Sequence, residues 1–204
     1  LTPDDIAERQ WSKKDWEVLH GLKINGAGSG HFEYRMPWPA EFSVNDIIEG
    51  GLVAELSAKQ LHGKDREAQQ AISGNFMLGK GTHDSSLNPN AYPMSDETPF
   101  PSLVRIRLNG YMIGTQYLPD DPADHRGILS WHAQLRDRRL REAGSYGYLV
   151  RIPIPRYVLE AAAAEGELKL KLEVDAAFPG GLAIYGEDFG RYPFDPTLIL
   201  AVKE

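Results

Sequence analysis

The chain reads as an all-β protein, an antiparallel β-sandwich of the jelly-roll kind with long loops and one short helix. Three observations point there. Stretches such as Leu168-Lys-Leu-Lys-Leu-Glu-Val174 and Leu103-Val-Arg-Ile-Arg-Leu108 alternate apolar with charged residues, the two-residue period of a half-buried strand. Asn109-Gly110 follows the second of these and is the commonest pair for a two-residue hairpin, because both residues tolerate positive φ. Strong helix formers gather in one place, Leu159-Glu-Ala-Ala-Ala-Ala-Glu165, and Gly166 stops them. Strands that do not alternate with helices argue against a doubly wound parallel sheet.

Taken in order, Pro3-Asp4-Asp5 can start a short helix through Glu8, and Trp16-Glu17-Val18-Leu19 is a candidate first strand. Trp11 and Trp16 are not at simple helical spacing and are expected to cover the edge of a core. Gly26, Gly28 and Gly30 resemble a phosphate loop only superficially. No Gly-Lys-Ser/Thr follows, so the stretch reads as a flexible turn between strands. His31-Phe-Glu-Tyr-Arg-Met36 alternates, and Pro37 and Pro39 end it as an edge strand would end. Leu52 to Ala58 is a further strand after Gly50-Gly51, and Lys59 to Ala71 is a charged, solvated loop. Residues 73–101 carry no hydrophobic period but hold aromatic, His, Asn and Asp side chains, a mix that suits a binding surface better than a linker. The hairpin Leu103–Gly114 leads into a long polar excursion from Pro119 to Gly144. Tyr148–Pro155, Leu168–Val174, Leu182–Tyr185 and Pro196–Val202 supply the remaining strands.

The chain is expected to be a single domain over residues 1–204, with a jelly-roll core at about 30–202 and an N-terminal appendage at about 1–20. It begins at Leu1, as is expected of a mature chain or of a domain cut from a larger modular enzyme. A formal charge of −7 argues against nucleic acid or an anionic membrane surface as the main partner. The absence of cysteine rules out a disulfide framework and thiolate metal sites. No run is long and apolar enough to span a bilayer.

The strand order carries a resemblance. An aromatic-rich strand (His31–Met36) precedes a Leu-Val-Ala-Glu-Leu strand. Then come Val104-Arg-Ile-Arg-Leu-Asn-Gly-Tyr-Met-Ile-Gly114, Val150-Arg-Ile-Pro-Ile-Pro155, a helix-forming stretch and Leu168–Val174. This resembles the galactose-binding-like jelly roll that serves as the sugar-binding domain of glycoside hydrolase family 2 enzymes and accompanies other glycosidases and polysaccharide lyases. The match covers about residues 30–60 and 100–202. The chain departs from the family's pattern in the long 73–101 segment and the enlarged 119–144 loop. The resemblance implies a carbohydrate-binding role beside a catalytic module, in a secreted, periplasmic or cell-surface setting.

Asp120-Asp121-Pro-Ala-Asp124-His125-Arg126 is the densest cluster of chemistry-bearing residues. It reads three ways: a solvated turn, a loop that contacts a ligand, or a cation site. Asp120, Asp121 and Asp124 are oxygen donors that suit calcium, without the spacing of an EF-hand. Trp131 either plugs the core or offers a platform for a sugar ring. His132, His125, Arg126, Asp124 and Asn88 are planar or carboxylate partners for vicinal hydroxyls, and Tyr92 and Tyr146 are further rings. No pair of carboxylates is set apart for glycoside hydrolysis, no Gly-x-Ser-x-Gly elbow frames Ser29, and no His-Glu-x-x-His helix occurs. The expected function is therefore a non-catalytic carbohydrate-binding module needing no cofactor, with calcium as the one candidate ion. Its rivals are a docking β-sandwich without a sugar site and a small jelly-roll lyase or hydrolase.

Overall fold

The computed structural model describes residues 1–18, 21–59, 100–119 and 147–203. Two antiparallel sheets face each other across one core. The strands are β1 (Glu8–Trp11), β2 (Lys14–Val18), β3 (Lys23–Ala27), β4 (Gly30–Pro37), β5 (Ile47–Ser57), β6 (Ser102–Leu108), β7 (Tyr111–Leu118), β8 (Tyr148–Ile154), β9 (Glu167–Pro179), β10 (Leu182–Tyr185) and β11 (Thr197–Val202). The helix α1 covers Arg156–Glu165. One sheet runs β1-β4-β9-β6-β7. In the six-stranded sheet, β5 pairs with β8 along one edge. Its other edge is shared by β11 and β10, and β10 leads on to β3 and β2. The fold is an antiparallel β-sandwich with one α-helix among the described residues.

Alternation decides which side chains form the core. In β9, Leu168, Leu170, Leu172 and Val174 are buried while Lys169, Lys171, Glu173 and Asp175 face outward, half-buried. Ile106 and Leu108 of β6 and Phe32 and Tyr34 of β4 join them from the five-stranded sheet. Ile24, Leu52, Leu56, Val150 and Ile184 come from the other. Each such side chain removed from water contributes roughly 1.5–3 kcal/mol. Helix α1 closes one end by burying Val158, Leu159 and Ala162, and Gly166 ends it in the left-handed region at φ 72°. The β6–β7 hairpin turns through Asn109 (φ 48°) and Gly110 (φ 83°), the positive-φ pair a type I′ turn requires.

Several elements differ from what local sequence suggests. No helix forms at Pro3–Glu8. Asp5 and Thr2 close a turn there instead, and Ala7 N–H donates to the Glu33 carbonyl at 2.8 Å, leading the chain into β1. The first residues, expected as an appendage, supply edge strands to both sheets. The glycine-rich stretch is a turn only at Gly28-Ser29. Lys23–Ala27 before it is a strand buried on both faces. Strand β4 is not an edge but lies between β1 and β9, its Pro37 falling at the last residue of the strand. Gly50 and Gly51 lie inside β5 rather than before it. A Cβ on Gly50 would press on Leu159 and Leu200 at 3.1 and 3.3 Å, so the glycine lets the helix approach the sheet. Trp11 does cover the core edge, with its ring 4.8 Å from that of Phe32. Trp16 sits instead on the outward face of β2, half-buried, with the Lys14 ammonium 5.8 Å from its ring.

Candidate functional site

The loop residues singled out from the sequence lie outside the described residues: Trp131, His132, His125, Arg126, Asp124, Tyr92, Asn88, Tyr146, and the cation candidates Asp120 and Asp121. What the structure assembles is the outer face of the five-stranded sheet. The registers align one row across all five strands: Gln10 opposite His31, His31 opposite Glu173, Glu173 opposite Arg105, and Arg105 opposite Thr115. A parallel row holds Glu8, Glu33, Lys171, Arg107 and Met112. With strands about 4.8 Å apart, each row spans roughly 19 Å.

A cleft of about 410 Å³ opens on this face, lined among others by Gln10, His31, Arg105, Glu173 and Asp175. That volume falls within the usual range for a small-molecule site. Its wall is the β3–β4 turn, where Ser29 N–H donates to Ser12 Oγ at 3.0 Å. The cleft's charges are already matched. Arg105 pairs with Asp175, Arg107 reaches Glu173 at 3.6 Å, and His31 Nε2 lies 3.3 Å from Glu8. Pairs with an exposed member add little stability, but they hold planar, hydrogen-bonding groups in fixed orientation; His31 itself is buried.

Two positions beyond Thr115 on the same face of β7 stands Tyr117, whose ring meets that of Phe178 edge-on at 6.1 Å. Both are solvent-exposed, at 51% and 42%. Exposed rings beside a polar cleft supply the apolar face that such a site needs. Local alternation marks Arg105, Glu173, Asp175 and His31 as outward-facing. It does not show that three strands far apart in sequence bring them together.

The outer face of the six-stranded sheet is different in kind. Lys23, Tyr185 and Glu55 lie in one row across β3, β10 and β5 and are all buried. The Glu55 carboxylate accepts backbone N–H groups of Gly147 (2.7 Å), Arg191 (3.0 Å) and Tyr192 (3.0 Å). The Lys23 ammonium stands 4.3 Å from the Tyr185 ring and 5.4 Å from that of Phe189. Ser57 Oγ and the Tyr185 hydroxyl are 3.1 Å apart. These groups engage one another, and their role is to pin loops to the sheet. Further along this face, Gly51, Val53, Pro153, Ile199 and Ala201, with Glu49 and Arg151, line a mixed groove of about 310 Å³. Nearby Leu149 faces the same way, half-exposed.

Among the described residues no group of three or more His, Asp or Glu side chains is placed to hold a metal, and no helix is long and apolar enough to cross a membrane. No protein-family model matches the chain, and no curated protein does.

Proposed function

We propose that this domain is a non-catalytic carbohydrate-binding module, accessory to a glycoside hydrolase or polysaccharide lyase. Its saccharide lies along the outer face of the five-stranded sheet. One observation carries the reading: a cleft of fixed planar polar groups, Arg105, Asp175 and His31, is continued along its face by the exposed Tyr117–Phe178 pair. Sugars present hydroxyl edges and C–H faces, so their sites combine such hydrogen-bonding groups with aromatic surface. The β-sandwich is compatible with this role without assigning it. A chain of formal charge −7 is poorly suited to nucleic acid or an anionic membrane. A module of this kind works where polysaccharide is met, in a secreted, periplasmic or cell-surface setting.

The test is a glycan-array screen of the 204-residue chain with and without calcium, followed by incubation with each hit to detect cleavage. Binding without cleavage is expected. A calcium requirement would direct attention to Asp120, Asp121 and Asp124. Cleavage products would mean a small lyase or hydrolase, with His125 and His132 the first residues to replace.

A second reading rests on the groove of the other sheet, where Ile199 is 52% exposed. That surface suits packing against a neighbouring catalytic module. Alone, this reading predicts no glycan binding by the isolated chain.

A further inference from the structure

We infer that the cleft on the five-stranded sheet selects neutral saccharides over uronate or sulfated ones; the inference rests on the carbohydrate-binding reading and narrows its ligand class. Recognition of an anionic sugar needs a cation free to meet its carboxylate or sulfate. Among the described residues lining the cleft, Arg105 is the only permanent cation, and Asp175 already pairs with it. The same described lining holds two carboxylates, Glu173 and Asp175, so its formal charge counted without His31 is −1. Glu8, opposite Glu33 at the margin, lies 3.3 Å from His31 Nε2. The nearby Arg107 is turned toward Glu173, and Lys171, opposite Glu33 in the next row, stands outside the described lining of the cleft. An acidic sugar lying in the cleft would meet guanidinium groups already engaged by carboxylates, with no described lining cation left to pair with it.

The paired arrangement suits a neutral diol. A carboxylate oxygen of Asp175 accepts from one hydroxyl while the Arg105 guanidinium donates to its neighbour. Each partner keeps the other charged and oriented, so no net charge has to be brought by the ligand. Gln10 adds an amide able to donate and accept, and Ser29 a hydroxyl, both indifferent to ligand charge. Specificity here comes as much from the repulsion offered to the wrong ligand as from contacts with the right one.

The experiment compares the 204-residue chain against tetrasaccharides matched in linkage, one built of neutral hexoses and the other of the corresponding uronates, by calorimetric titration at two salt concentrations. The neutral member is expected to bind at least about tenfold more tightly, and the gap is expected to narrow at high salt. Glu173→Gln and Asp175→Asn should each raise uronate affinity relative to neutral, with folding checked by circular dichroism. Equal or tighter uronate binding that is lost on Arg105→Ala would overturn the charge selectivity and leave carbohydrate binding standing. Failure of both classes to bind would remove the carbohydrate-binding reading and this inference together. Should both substitutions leave the uronate-to-neutral ratio unchanged, the carboxylates do not set the preference and the inference is wrong.

Discussion

The Glu55 carboxylate accepts the Gly147 backbone N–H at 2.7 Å, joining β5 to a residue 92 positions further along the chain. The same side chain takes N–H groups from Arg191 and Tyr192 in the β10–β11 loop. Gly190 sits so close that a Cβ there would overlap the carboxylate. One buried acid therefore fixes the start of β8 and an otherwise irregular loop on the sheet.

Glu55→Ala leaves three donors without their acceptor. A buried donor left unpaired costs about 1–3 kcal/mol, and these part-buried ones regain some hydration, so the expected loss is roughly 3 kcal/mol or more. Glu55→Gln keeps one acceptor oxygen but turns an amide NH₂ toward N–H groups, and should fall between. Urea denaturation midpoints measure both. A Glu55→Ala protein as stable as the parent would show that the loop is held by other contacts.

The hairpin offers a separation of backbone from side-chain effects. Asn109 Nδ2 donates to the Glu167 carbonyl at 2.8 Å and its Oδ1 accepts from Lys169 N–H at 3.0 Å, tying the turn to β9. Asn109→Gly keeps the positive φ and removes those bonds, with an expected loss of about 1–2 kcal/mol. Gly110 has open space around a would-be Cβ. Gly110→Ala therefore reports left-handed backbone strain alone, about 1–2 kcal/mol. If Asn109→Gly is neutral, the bonds to β9 are not stabilising.

The same corner has a pH signature. The hydrogen bond from Lys169, then that from Asn109, holds the Glu165 carboxyl below the usual carboxylate range. Its folded pKa is depressed, so its contribution is present above the unfolded carboxylate value and is lost as pH falls through the folded one. The group is exposed, so the effect is small and should shrink with salt. At the alkaline end, burial first, then the nearby charges of Asp4, Asp5 and Asp195, pushes the Tyr34 hydroxyl far above the ordinary tyrosine range. Here the folded pKa is raised. The unfolded chain releases this proton near pH 10 while the folded one keeps it, so stability falls with rising pH by about 1.4 kcal/mol per unit from there. Tyr34→Phe should remove that slope. At neutral pH it should cost about 1 kcal/mol for the bond to the Pro3 carbonyl. Urea titrations between about pH 10 and pH 12 decide it, and an unchanged slope would mean that other groups govern alkaline unfolding.

The elements legible in advance were those whose signals are local. The β6–β7 hairpin announces itself by period-two alternation and Asn109-Gly110, and β9 by four apolar residues on one phase. Strand β3 is hidden because both its faces are buried and its middle is Ile-Asn-Gly, so alternation vanishes and glycine imitates a turn. Lys23 and Glu55 are buried charges on positions that alternation assigns to the outside. Only the register that places them around Tyr185 explains their burial. The cleft is non-local in the same way. Gln10, His31, Arg105 and Glu173 become neighbours through a strand order that no single segment encodes.

The location of the saccharide site separates the sheet face from the loops by a direct comparison. Tyr117 and Phe178 stand exposed and, among the described residues, have only each other as aromatic neighbours, so Tyr117→Ala should leave the fold intact. If a sugar packs on this pair, affinity falls about tenfold, a change of about 1.4 kcal/mol. Arg105→Ala should weaken binding at least as much, because it removes a donor and frees Asp175 from its partner. Trp131→Ala and His132→Ala serve as the counterpart, since the sequence alone puts the site on their loop. Titrating all four variants with one array-selected oligosaccharide ranks the two locations. Loss confined to Tyr117 and Arg105 places the ligand on the five-stranded sheet. Loss confined to Trp131 and His132 returns the site to the loop and leaves the cleft a set of paired surface charges.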